Sequence, residues 1–306
     1  MQLLEEPEIK IEEPAEPVLA TMEGRFNFGP FFFWTAAQFA VVVGLFAWLM
    51  PAMFRQELSM PLQIVGWTFA LGLPLSLFEY LYHRYLLHSA VLPFLGIMHQ
   101  CHSDHHGLTN VKAPVSPKTP DKLVEVDSRY PIVHEHQEES MQFPLFAISI
   151  FFVIFLVLLA VPAKLIWPDQ PVVLATICTA TLSYGLYEFW HAILHLPFDK
   201  YWQPAMNHRV FGKLVRYTYG FHLMHHWRPT TNLAVVGFWG IAIWDHLFRT
   251  HRRPENMPLD KAQVSYNDAK IARPIWPISL LDKWQPGMYK GSRKIERSLA
   301  KLFGIK

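Results

Sequence analysis

Ten histidines fall into four boxes. His83 and His88 are five apart and His191 and His195 four apart, and each pair precedes a cluster of the form HxxHH: His102, His105, His106 and then His222, His225, His226. Imidazole is the commonest side-chain metal ligand and titrates near neutrality. A lone histidine such as His246 or His251 is ordinarily a hydrogen-bonded or solvated side chain. Ten in matched boxes would repel one another on protonation, so a shared cation is the economical reason for them. On a helix His191 and His195 share a face, while His83 and His88 need a slight twist or a helix end to converge. An HxxHH helix is expected to turn its first two histidines toward one metal and its third, rotated by about 100°, toward a neighbouring metal.

Glu79 and Glu188 precede the two pairs. Carboxylates beside histidine ligands more often accept the second ring N–H than bind metal, and both are expected in that supporting role. Asp104 and Asp245 are candidates for the same role, with helix capping as the plainer reading, and Asn232 for contact with a metal-bound water. His99, three before His102, and His208 are candidate supporting groups or substitute ligands. His134 and His136 are more readily surface histidines.

The elements that must position these residues are apolar. Uncharged runs cover 30–54, 58–78, 143–163 and 170–187, each near the roughly 20 residues that cross a bilayer, and short connectors join them in pairs. The expected fold is all-α and integral to a membrane: four transmembrane helices in two hairpins, with a cytosolic helical cap holding a dimetal site. Each hairpin delivers one Glu and one histidine pair at its exit. The apolar, Trp-rich stretch 232–248 contains Asp245 and His246 and is expected as an interfacial or buried helix, not a fifth crossing.

Composition agrees with a membrane protein, since 51% of residues are hydrophobic, 15% aromatic and only 17% charged. Cys101 and Cys178 match neither a disulfide framework nor a CxxC zinc pattern. Of the 27 Lys/Arg only Arg55 and Lys164 lie in the short connectors, which puts both termini, the histidine boxes and the active site on the cytoplasmic side, of a bacterial inner membrane or the endoplasmic reticulum. Residues 1–28, rich in Glu, are expected to be a disordered acidic segment, 29–250 the catalytic domain and 251–306 a basic cytosolic tail. Ser292 to Lys306 alternates basic and apolar residues, equally compatible with a headgroup-bound helix and a solvated one. No nucleic-acid partner is expected.

Spacing alone does not name the metal, because imidazole suits Fe, Zn, Cu and Ni alike. A site opening onto acyl chains must attack bonds without acidic protons, and zinc has no redox state to offer, so iron with dioxygen is the natural candidate. Trp190, Tyr217, Tyr219 and Trp227 can line a lipid channel, although anchoring at the membrane interface is the commoner role for Trp and Tyr.

Over residues 75–250 the boxes resemble the fatty acid hydroxylase and sterol desaturase superfamily of membrane-bound diiron oxygenases. Tyr187-Glu-Phe-Trp-His191-Ala-Ile-Leu-His195, Phe221-His-Leu-Met-His225-His226 and Trp244-Asp-His-Leu-Phe-Arg-Thr250 look most like the fatty acid 2-hydroxylase branch. The resemblance implies two Fe ions held by the ten histidines, with Zn possible in a purified sample, and O2 as co-substrate. It also implies a lipid or fatty acyl substrate and a separate electron donor, a haem or iron-sulfur protein with its reductase. Two departures from that branch stand out, a polar insert at 114–142 and a long interval from His195 to His222. Rival readings are a sterol or lipid desaturase of the same superfamily and, in another class, a non-catalytic membrane metal-binding protein.

Overall fold

The computed structural model describes residues 28–108, 116–130, 143–271 and 273–303. The helices are α1 (Phe28–Leu49), α2 (Pro51–Leu58), α3 (Pro61–Tyr82), α4 (Gly96–Leu108), α5 (Ala147–Phe155), α6 (Val161–Ile166), α7 (Val172–Leu194), α8 (Gln203–Met206), α9 (Gly212–Trp227), α10 (Ile243–Leu247), α11 (Tyr266–Ala269) and α12 (Ile278–Leu302). Two three-residue strands, β1 (Val124–Val126) and β2 (Ala262–Val264), pair antiparallel with Val124 opposite Val264. The protein is thus mainly helical, with a small sheet that helical periodicity could not announce. Acidic residues 1–27, His134 and His136 lie outside the described residues.

Four helices are long and apolar enough to cross a membrane: Phe28–Leu49, Pro61–Leu87, Ala147–Ile166 and Val172–Leu194. The fourth is the hub, against which the other three pack, and the first is the most exposed. Phe31, Leu75, Phe152, Phe155, Ile177 and Tyr184 form the core between them. At one end the two hairpin connectors meet. There Glu57, fully buried on α2, bonds Lys164 Nζ at 2.8 Å and accepts the Leu174 N–H at 2.8 Å, at the start of α7. The histidine boxes gather at the other end.

The spans run further toward the histidines than the uncharged runs suggest, because their last turns carry Glu and His that face inward. Beyond α3 the chain continues as a π-helical turn, His83–Leu87, in which the His88 N–H bonds the His83 carbonyl at 3.2 Å. A π-turn brings residues five apart onto one face. That meets the twist required by the His83/His88 spacing, and the two rings stack with centroids 5.1 Å apart.

The stretch 232–248 is not one helix. Only α10 is helical, because Asn232, Gly237, Trp239 and Gly240 all have positive φ and fold residues 232–242 back on themselves. This loop lies along α3, with the Trp239 Nε1–H donated to the Phe69 carbonyl at 2.9 Å and the indole against Gly72, where a Cβ would run into the ring. Residues 251–302, expected as a tail, are folded onto the body through β2 and through α12, whose Asp282 pairs with Arg84 at 2.8 Å. Gly72→Ala is therefore expected to destabilise the fold by about 1–3 kcal/mol through overpacking. Gly66→Ala, on the same helix with open space around it, should be neutral or slightly stabilising. Thermal unfolding of the two variants in one detergent compares them.

Candidate metal centre

All ten box histidines converge, in two groups of five. His83, His88, His102, His106 and His225 form one group and His105, His191, His195, His222 and His226 the other, with the ligand nitrogens of each group within 4.8 Å of one another. Each half of the chain therefore supplies four members of its own group and lends one histidine to the other. The reason lies in helical phase. On α4, His102 and His106 are four apart and differ by about 40° in direction, whereas His102 and His105 differ by about 60° the other way. The first and third histidines of each HxxHH thus stay together and the second turns away, which corrects the expected pairing of first with second. The groups touch where the rings of His106 and His226 stack at 4.3 Å.

The polarity of the rings is set by backbone carbonyls. His83 Nδ1 lies 2.5 Å from the Leu233 carbonyl, His195 Nδ1 3.0 Å from that of Tyr130, and His225 Nδ1 2.8 Å from that of Thr231. A carbonyl only accepts, so in each ring Nδ1 carries the proton and Nε2 presents a lone pair. Those lone pairs point inward. His83 Nε2 lies 3.1 Å from His102 Nε2, His88 Nε2 3.3 Å from His225 Nε2, and His222 Nε2 3.1 Å from both His195 Nε2 and His226 Nε2.

Nitrogens bound about 2.1 Å from one ion at tetrahedral to octahedral angles sit about 3.0–3.4 Å apart, the spacing found here. His105 Nε2 is buried and has no hydrogen-bond partner among the described residues, an arrangement that costs about 1–3 kcal/mol unless something accepts its lone pair. Ring spacing, tautomers and this orphaned nitrogen all fit a bound cation in each group.

Burial is the largest cause driving His102, His105, His106, His195, His222, His225 and His226 well below the usual imidazole range, and repulsion from neighbouring histidines adds to it. The folded protein holds these rings neutral, the form that binds metal.

Two of the candidate carboxylates, Glu79 and Asp245, act one step further out. Glu79 accepts the Val235, Val236 and Gly237 N–H groups at 2.6, 2.9 and 3.0 Å, and Asp245 accepts those of Leu233 and Ala234 at 2.9 and 3.0 Å. Together they fix the loop whose Leu233 carbonyl orients His83. Glu188 accepts the Phe143 N–H at 3.3 Å. Asn232 does not reach the centre: its side chain bonds the Phe221 and Arg252 backbones.

His99 Nδ1 meets the Leu87 carbonyl at 2.6 Å, tying α4 to the π-turn from outside both groups. Asp104 is exposed on α4, and His208 is an exposed turn residue accepting the Val210 and Phe211 N–H groups. The carbonyls of Tyr130, Thr231 and Leu233 left no mark in the sequence, since any residue can supply one. Trp190 and Tyr217 line a cavity of about 80 Å³ that reaches His222, whereas Tyr219 and Trp227 are buried in the cap core with Leu223 and Met257.

Substituting His225 by Ala is expected to reduce bound metal and to weaken mainly the group built by the first half. His99→Ala should leave metal content near wild type, as measured by elemental analysis of the purified protein. Because the histidines' folded pKa values lie below 6.5, acid protonates the unfolded chain first. Their contribution to stability is present above pH 6.5 and is lost progressively as pH falls from there toward the depressed folded values, and bound metal should be released together with the fold. Metal that stays bound after acid has unfolded the chain contradicts this centre. No protein-family model, curated protein or solved structure matches the chain.

Proposed function

We propose that this chain is a membrane-bound oxygenase that hydroxylates a lipid acyl chain, taking electrons from a separate donor protein. One observation carries the reading: two adjoining groups of neutral, inward-facing imidazoles stand where four apolar helices end. Two iron ions held by these groups would supply dioxygen chemistry, which no side chain in the site offers by itself.

The chain's own residues do the positioning. Leu233, Tyr130 and Thr231 hold His83, His195 and His225 in one tautomer, so these three rings need no reorientation to bind metal. Tyr130 packs its ring on His195, His222 and His226 and excludes water from that side. An apolar chain can approach through the cavity between α7, α9 and the 232–242 loop, whose walls include Trp190, Leu194, Phe221, Val236 and Ala242 and whose floor reaches His222. Walls of this kind hold a methylene in place by shape, and fixed geometry is what selects one carbon among many alike. Arg55 and Lys164 stand at the opposite end from the histidines, and most other basic residues at the histidine end, which supports a cytoplasmic reaction face.

Expression in a host lacking such an activity, with 18O2 and lipid mass spectrometry, tests the reading. The expected product is a host lipid that gains one labelled oxygen and disappears with His225→Ala. A product that instead loses two hydrogens identifies a desaturase. Metal uptake into vesicles that is indifferent to oxygen and reductant identifies a metal-binding or transport protein.

A further inference from the structure

Helix α12 carries three faces. Trp284, Met288, Ile295 and Leu302 lie within about 40° of one another round the helix and are 55%, 41%, 49% and 74% exposed. That is an open apolar stripe along most of a 25-residue helix.

About 95° to one side lie Asp282, Gln285, Ser292 and Glu296, the face that meets the body. Asp282 takes both the Arg84 guanidinium, at 2.8 and 2.9 Å, and the Tyr85 hydroxyl, at 2.8 Å. Gln285 bonds Ser89, and Glu296 accepts the Phe94 N–H. About 130° to the other side stand the exposed cations Lys283, Lys290, Lys294, Arg297 and Lys301.

The acids of this helix are thus turned inward and paired, and its outward charge is all positive. Its attachment points are Arg84, Tyr85, Ser89 and Phe94, the segment where the second span ends. A helix fixed at that level, with an apolar stripe and a separate face of cations to one side of it, has the pattern of one that lies in the interface, stripe in the acyl boundary and lysines among headgroups.

We propose that α12 is an interfacial helix that binds the anionic headgroups of the bilayer the chain spans. An acidic protein would satisfy the cations but leave the apolar stripe in water, which is why lipid is the better occupant. The consequence is positional. Because Arg84 directly follows His83, a seated α12 sets the height of the histidine centre relative to the headgroups.

The test uses the full chain with Cys101→Ser, Cys178→Ser and Ile295→Cys, spin-labelled at 295 and reconstituted in phosphatidylcholine vesicles with or without phosphatidylglycerol. With the anionic lipid the label should become accessible to oxygen and shielded from a water-soluble nickel chelate. Without it the label should stay wet. Raising salt from about 0.1 M to about 1 M, which cuts the screening length from about 10 Å to about 3 Å, should weaken the difference. Changing Lys290, Lys294, Arg297 and Lys301 together to Gln should abolish it. These four side chains are exposed, so unchanged metal content and unfolding temperature separate loss of lipid contact from loss of fold. A label equally wet in both vesicles, or one shielded only after an acidic soluble protein is added, overturns the proposal. A label equally buried in both overturns the anionic part, since the stripe alone then seats the helix.

Discussion

Buried imidazole nitrogens brought within about 3 Å of one another organise this molecule. The Leu233, Tyr130 and Thr231 carbonyls take the Nδ1 protons of His83, His195 and His225, and burial removes the water that could otherwise solvate the remaining nitrogens. Nitrogens about 3 Å apart are held together by a shared proton or a shared cation, and a cation satisfies every inward lone pair at once. Metal and fold are consequently linked: whatever binds these rings contributes to holding together helices from both hairpins, and whatever protonates them pushes those helices apart.

The end of α3 shows how far the constraint spreads. Within one turn and a half, Glu79 clamps the 235–237 backbone, Tyr80 meets Thr250, His83 enters the centre, and Arg84 reaches both Asp282 and the Thr230 carbonyl. Asp245 completes the set by holding Leu233, Ala234 and Thr250. The carboxylates do not touch the oriented rings of His83 and His225 directly. They immobilise the loop that supplies the orienting carbonyl, so an error in the loop becomes an error in His83.

Four apolar helices and ten convergent histidines were readable because each rests on a strong, local signal: uninterrupted hydrophobicity over a bilayer's thickness, and a residue type with little other reason to cluster. The five-residue gap between His83 and His88 even announced the distortion that the π-turn provides. Assignment of histidines to groups was not readable, since a difference of about 20° in helical phase decides it and the facing helix decides which way each ring turns. The loop at 232–242 was missed because its apolar content resembles a helix, while Gly237 and Gly240 are what bend it back along α3. The carbonyls that orient the rings have no side-chain signature at all.

The exchange of His105 and His225 between groups has a structural consequence of its own. If each half held a complete group, the hairpins could slide along one another without loss to either. With one ligand exchanged in each direction, every group needs both halves in register. At the far end Glu57 and Lys164 impose a second point of register, joining the two connectors through a directional ion pair. Between these ends lie Phe31, Leu75, Phe152, Ile177 and their neighbours, whose dispersion contacts are strong in sum but tolerant of small shifts. Directional interactions at both ends and non-directional packing between them let an apolar helix bundle hold nitrogens to the few tenths of an ångström that a metal site requires.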